Sequence, residues 1–231
     1  MAAGFVQNLE SIQGRIRAAA SRAGRDPGSV TLVGVSKTVP PDRIREAIDA
    51  GLGDLGENRI QEAREKIPLL PGPVRWHLVG HLQGNKAKVA VEMFEVIHSV
   101  DSAGLLQRLD RLAGAAGRTL RALVQIDLAD EPTKSGVAPD RLDAVLEAAA
   151  GCRAVQVRGL MILPPYEKDP EKSRPWFRRL RDLRDAATTR HPQLNLDQLS
   201  MGMSGDFEVA IEEGSTIVRV GRALFGERPK R

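Results

Sequence analysis

Apolar residues recur along this chain in two alternating rhythms. Short runs rich in valine, isoleucine and leucine alternate with stretches in which apolar residues return every three or four positions. The runs read as strands buried on both faces, and the longer-period stretches as amphipathic helices. An opening helix carries Phe5, Leu9, Ile12, Ile16 and Ala23 on one face and ends near Gly24. Strands are predicted at 30–36, 54–56, 75–79, 96–100, 122–128, 157–163, 198–201 and 216–220. A helical pattern follows each of them: from Asp42 to a stop at Gly51, from Asn58, around 86–92, across Leu105 to Ala116, from Pro139, from about 171 to 189, around Phe207 to Ile211, and at the C-terminus.

Strict strand–helix alternation implies a parallel sheet with crossover helices. Eight repeats in 231 residues fit a (β/α)8 TIM-like barrel better than an open doubly wound sheet. The extra N-terminal helix is expected to cover the barrel bottom or to pack beside the eighth helix. No shift in composition marks an internal boundary, so residues 1–231 read as a single domain.

Composition narrows the function classes. The net charge is +4, and basic residues are interleaved with acidic ones. The densest basic stretch, 174–184, carries Trp176, Phe177, Leu180 and Leu183 at helical spacing and reads as a solvated helix face, so no nucleic-acid partner is expected. There is no apolar run of about 18 residues and hence no expected membrane span. The N-terminus lacks the layout of a signal peptide. A single cysteine, Cys152, excludes an internal disulfide and fits a reducing cytoplasm. His77, His81, His98 and His191 show no ligand spacing, so no metal site is expected.

In a barrel, chemistry gathers in the loops that follow the strands. Lys37 closes the first strand, and a strand-end lysine that can be desolvated is a candidate Schiff-base former. Glu57 and Asn58 follow the second strand, the segment from Gly80 to Lys86 the third, Asp101 the fourth and the segment from Glu131 to Gly136 the fifth. The loops after strands seven and eight contain Ser200, Ser204, Gly202, Gly205 and Gly221, hydroxyl donors and glycines suited to approach an anion. A barrel often binds phosphate there. Asp206 reads as a helix N-cap, because an anion would repel phosphate. A phosphate site, Arg219 at the end of strand eight and a lysine across the mouth together suit pyridoxal 5′-phosphate, which needs an amine, anion donors and a partner for its ring nitrogen. A phosphate-ligand barrel without this cofactor, such as a sugar-phosphate enzyme, remains the competing reading. His81 is a further candidate ligand contact.

The segments Val35-Ser36-Lys37-Thr38, Gly56-Glu57-Asn58, Trp76 through Lys86, Gly159-Leu160-Met161, Leu199 through Ser204 and Val218-Arg219-Val220-Gly221 strongly resemble the YggS/PROSC family of pyridoxal phosphate homeostasis proteins, similar to the barrel domain of alanine racemase. The resemblance covers nearly the whole chain in order. It implies a fold-type III barrel with the cofactor held as an aldimine on Lys37. Phosphate would be held by Ser200, Ser204, Gly221 and neighbouring groups that include Met201 and Arg222, with Arg219 near the pyridine nitrogen and Asn58 facing the ring. Two departures stand out: Arg222 occupies a position where the family commonly has Thr or Ser, and Asp127 stands where Asn is usual.

Family resemblance implies cofactor storage and delivery in the cytoplasm, with pyridoxal-phosphate-requiring apoenzymes as candidate recipients and effects on amino-acid and keto-acid balance. Racemases of this fold add a second acid/base, a tyrosine from a further β-domain and a partner subunit. This chain is expected to lack that domain, and its one tyrosine, Tyr166, falls in the strand-six loop. Efficient racemisation is therefore not expected, a monomer is, and a low-activity racemase or related enzyme is the alternative. Lys86 and Lys134 are candidates for a second cofactor position.

Overall fold

Eight parallel strands close into a barrel in chain order, β1 pairing with β8. The computed structural model describes residues 4–70, 72–129 and 135–226. Helix α1 (Phe5–Arg22) precedes β1 (Thr31–Val35) and α2 (Pro41–Asp49). Then come β2 (Asp54–Glu57), α3 (Ile60–Lys66), β3 (Arg75–Leu78), α4 (Ala87–Met93), β4 (Val96–Val100) and α5 (Ala103–Ala115). The second half runs β5 (Leu120–Gln125), α6 (Leu142–Ala150), β6 (Val155–Met161), α7 (Arg174–Arg190), β7 (Gln198–Met203), α8 (Phe207–Glu212), β8 (Ile217–Val220) and α9 (Arg222–Phe225). Every strand is followed by a helix, the βα repeat that the apolar pattern predicts.

Burial divides the apolar residues into two layers. Most pack between strands and helices, with Phe94, Phe177, Phe207, Ile44 and Leu106 among the fully buried side chains. A small interior set, Val33, Leu123, Met161 and Ile217, fills part of the barrel lumen. The remaining lumen is polar: Asp54, His77, His98, Ser200 and Arg219 are bonded to one another there. A barrel interior is a packed core, and buried polar groups in it require partners.

Helix α1 lies against α8 and α9. Arg15 pairs with Glu208 at 2.7 Å and stands 4.5 Å over the Phe207 ring. Phe5 and Phe225 have ring centroids 5.3 Å apart, and Asn8 Nδ2 donates to the Leu224 carbonyl at 2.9 Å. Of the two expected positions, the one beside the eighth helix is found. On α7, Arg174, Arg178 and Arg181 converge on the buried carboxylate of Glu213, so much of the dense basic stretch is spent within the chain.

Among the boundaries that differ from the sequence expectation are three around β5, β6 and α7. Strand β5 ends at Gln125 because Ile126 makes only an isolated bridge with Val137, yet Ile126 and Leu128 stay buried, so the apolar run outlasts the strand. Strand β6 begins two residues earlier than expected, at Val155, opposite Leu120. Helix α7 is preceded by a 3-10 turn at Pro170–Ser173, whose start Asp169 caps by accepting from the Glu171 N–H at 3.0 Å.

Candidate functional site at the carboxyl ends of the strands

Alternation from Val33 through Val35 carries Lys37 to the interior side of the β1 terminus, where it is half-buried. The next residue, Thr38, has φ of +63°, a left-handed conformation that β-branched residues rarely adopt. A buried charge cluster outside the barrel wall holds this turn. Lys66 Nζ donates to the Ser36 carbonyl at 2.8 Å, to Glu57 Oε1 at 3.0 Å and to Glu62 Oε1 at 2.5 Å. Ser36 Oγ donates to Glu57 Oε1 at 2.7 Å, while the Thr38 N–H donates to Glu62. Glu57 is fully buried and its Oε2 has no hydrogen-bond partner among the described residues. Burial pushes its carboxyl up, against the opposing pull of Lys66 and the Ser36 hydroxyl.

Asn58 follows on β2 and is half-buried. Gly80 lets the β3 loop cross it, since a Cβ there would meet the Asn58 carbonyl oxygen at 2.2 Å. Beside Asn58 opens a cavity of about 580 Å³ lined in part by Arg59, His81, Gln83 and Lys86. His81 is half-exposed, with Nδ1 3.4 Å from Asp101 Oδ2. Asp127 Oδ1 accepts from the Ala129 N–H at 3.2 Å, turning the chain after β5. Lys134 and the adjoining loop lie outside the described residues.

Ser204 joins the loops after β7 and β8: its Oγ accepts from the N–H groups of Gly221 at 3.3 Å and Ala223 at 3.4 Å. Gly202, with φ of +92°, lets this turn fold onto α8, where a Cβ would meet Phe207 Cα at 2.9 Å. Arg222 is exposed. Three expectations change here. Ser200, expected as a phosphate donor, is fully buried in the lumen, where its hydroxyl is engaged by His98 and Arg219 instead of facing the anion loop. Met201 turns its side chain outward into the strand–helix core, because neighbouring strand positions face opposite ways, and so has only backbone to offer. Asp206 stands at the N-cap of α8, but its carboxylate accepts from the Met203 N–H at 2.7 Å and not from the helix.

Arg219 is the most unusual charge in the molecule. Its guanidinium is buried and spends Nη1 on Ser200 Oγ at 2.5 Å and Nη2 on the Ile162 carbonyl at 2.9 Å. Burial lowers its pKa to about 10, against a small opposing pull from Asp206. At least two of its five N–H donors are thus used, and neither goes to a carboxylate. A buried cation with donors to spare, an amine at the end of the neighbouring strand β1, not across the mouth as expected, and amides around Ser204 are the donor set that a phosphorylated pyridine aldehyde needs. The residues present fit pyridoxal 5′-phosphate.

The His77–His98 contact, the burial of Lys66 and the orphaned Glu57 oxygen were not visible from spacing. The signal available was that His77 and His98 fall inside predicted strands. No group of three metal-ligating side chains converges among the described residues, and none of their helices is long and apolar enough to cross a membrane.

Comparison with known proteins agrees with this geometry. The family described as "Alanine racemase, N-terminal domain" matches residues 7–229. The pyridoxal phosphate homeostasis protein of Aquifex aeolicus is 44% identical over 96% of this chain and 97% of its own. That of Escherichia coli K12 is 40% identical, with 97% of each chain covered. PipY of Synechococcus elongatus, solved with pyridoxal phosphate bound, superposes with a TM-score of 0.83 at 42% identity, covering 92% of this chain and all of that one. Alanine racemase of Clostridium difficile, at 16% identity and a TM-score of 0.70, shares the fold. By sequence over nearly its full length, this chain belongs to the pyridoxal phosphate homeostasis protein family.

Proposed function

We propose that this chain binds pyridoxal 5′-phosphate at the barrel mouth and serves intracellular homeostasis of that cofactor, storing and delivering it. The observation that carries the reading is Arg219, a buried guanidinium held by a hydroxyl and a carbonyl and so left with donors for a neutral ring nitrogen. When bound, the cofactor supplies an aldehyde that an amine captures reversibly, on a ring able to draw electrons from an attached amino acid. Lys37 presents that amine. Ser204 and the amides of Gly221, Arg222 and Ala223 would hold the phosphate, which would take the Gly221 and Ala223 N–H groups over from the Ser204 hydroxyl, with the Met201 backbone beside them. Asn58 would lie toward the ring, and Arg219 would donate to its nitrogen without protonating it, which would weaken the ring as an electron sink. Ser200 acts behind Arg219.

The same residues favour a carrier over a racemase. A second base must stand opposite Lys37 for efficient racemisation. Tyr166, the one tyrosine of the chain, is 82% exposed in the β6–α7 loop. The Aquifex aeolicus and Escherichia coli relatives are named pyridoxal phosphate homeostasis proteins. Residues 1–231 act as one cofactor-binding domain in this reading, a monomer in the cytoplasm whose recipients are apoenzymes requiring the cofactor.

Mixing the protein with pyridoxal phosphate, reducing with borohydride and mapping the adduct by mass spectrometry tests this. The added mass is expected on Lys37, and a protein that stays colourless and unmodified sinks the reading. Turnover of D- or L-amino acids at ordinary enzymatic rates, around 10 per second, would establish the racemase alternative.

A further inference from the structure

Five side chains cross the barrel lumen in single file. Asp54 opens β2 at the amino-terminal floor of the barrel, and Arg219 stands near the carboxyl end of β8. Between them, His77 Nε2 lies 2.7 Å from Asp54 Oδ1, and His77 Nδ1 lies 2.9 Å from His98 Nε2. His98 Nδ1 is 2.9 Å from Ser200 Oγ, which is 2.5 Å from Arg219 Nη1. His98 and Ser200 are fully buried and His77 nearly so. The register slips in β4 between Ile97 and Val100, and in β7 between Ser200 and Met203. Such bulges re-aim side chains, and these two lie in the strands that carry His98 and Ser200.

Elementary chemistry fixes the direction of each link. Arg219 can only donate, so Ser200 Oγ accepts from it. Asp54 is an anion: burial pushes its carboxyl up, but hydrogen bonds from His77 and Arg75 outweigh that and bring it down to about 2. It therefore accepts, and His77 Nε2 carries the hydrogen. Burial lowers the pKa of His77, and that of His98 further, with the neighbouring His77 and Arg219 charges acting in the same direction on His98. The charged groups facing the pair are Asp54, Arg75 and Glu95 around His77 and Arg219 beside His98. Burial favours the neutral form of both rings, and a neutral imidazole has one N–H. His98 Nε2–H must then donate to His77 Nδ1, and the Ser200 hydroxyl to His98 Nδ1. An unbroken file of donors points from the cation near the mouth to the anion at the floor.

We propose that His77 and His98 are positioning residues for the cofactor: through Ser200 they fix the Arg219 guanidinium so that its unspent donors face the ring nitrogen. A carboxylate set directly on Arg219 would occupy the fork. Placing the anion four links away keeps the guanidinium oriented while leaving donors for the ligand. This inference rests on the pyridoxal phosphate reading given above.

The test uses full-length protein. Nitrogen-15 NMR of the cofactor-free protein is expected to find His77 and His98 both neutral and protonated at Nε2 from about pH 6 to about pH 8, a range in which an ordinary histidine titrates. A cationic ring, or one protonated at Nδ1, overturns the proposal. His98→Leu breaks two links, and Ser200→Ala, a smaller change, breaks the file one link nearer Arg219. Each is expected to weaken pyridoxal phosphate binding about tenfold, as loss of an outer-shell partner commonly does, and to shift the visible absorbance band of the bound cofactor. His98→Gln, which supplies one donor and one acceptor, is expected to recover most of both. Ser204→Ala is expected to lower affinity with the band unmoved. Wild-type affinity and band in Ser200→Ala overturn the proposal alone, whatever the folding of His98→Leu. A wild-type protein that takes up no cofactor overturns the binding reading and the proposal with it.

Discussion

Lys66 Nζ donates to the carbonyl oxygen of Ser36 at 2.8 Å, so a lysine at the end of α3 grips the peptide that leads into Lys37. The same amine meets Glu62, which accepts the N–H of Thr38 on the other side. Lys37 is thus flanked by two residues hydrogen-bonded to one charge cluster, which holds the turn on both sides.

Removing Lys66 strips the only cation from the buried Glu57 carboxylate among the described residues. Lys66→Met is expected to cost about 3–5 kcal/mol, the usual penalty for breaking a buried pair from one side. Urea unfolding measures this directly. Glu57→Gln is expected to cost less than Lys66→Met, because the site already disfavours a charged carboxyl.

Asp54 predicts an acid limb of stability. Its folded-state pKa of about 2 lies below the ordinary 3.8, so the folded state binds its proton more weakly than the unfolded chain. Its contribution is fully present above pH 3.8 and is lost as pH falls toward 2. Asp54→Asn is expected to flatten the stability profile in that window, as followed by denaturant midpoints at successive pH values.

At Thr38, φ of +63° places a β-branched residue in left-handed backbone. That costs about 1–2 kcal/mol in the native state. Thr38→Gly removes the strain but gains chain entropy when unfolded, leaving an expected stabilisation of up to about 1 kcal/mol. A lower thermal midpoint in Thr38→Gly would contradict this.

Gly159 lies where β6 meets β7, and a Cβ there would stand 1.8 Å from the Gln198 carbonyl oxygen. Gly159→Ala must push the two strands apart two residues from Ser200. A loss of about 3 kcal/mol, at the upper end for overpacking, is expected in equilibrium unfolding. A neutral result would mean that this edge of the barrel yields easily.

Much of the architecture was legible because β-branched runs and 3.6-residue periods are local signals. Lys37, Arg219 and Ser204 were legible too, since a barrel ranks its strand ends by position alone. The interior file was not. His77 and His98 are 21 residues apart and Ser200 lies 102 beyond His98, so only strand register and two bulges bring them together. Lys66 was missed for a related reason: on α3 it looks like any solvent-facing lysine, and the Glu57 carboxylate, the Ser36 carbonyl and Glu62 that accept from it explain its burial. Ser200 shows the limit most sharply, for a Ser–Met–Gly–Met–Ser string cannot say which serine faces the anion and which faces the lumen.

The contact of α1 with α9 ties the two extremes of the chain into one mechanical unit. Phe5 and Asn8 rest on Phe225 and the Leu224 carbonyl, only a few residues beyond Gly221. Gly221 follows β8, the strand that pairs with β1, so α1 and α9 bear on the same side of the barrel mouth as Lys37. The barrel thus closes where its first and last strands pair, and the helix that precedes the first strand braces the one that follows the last.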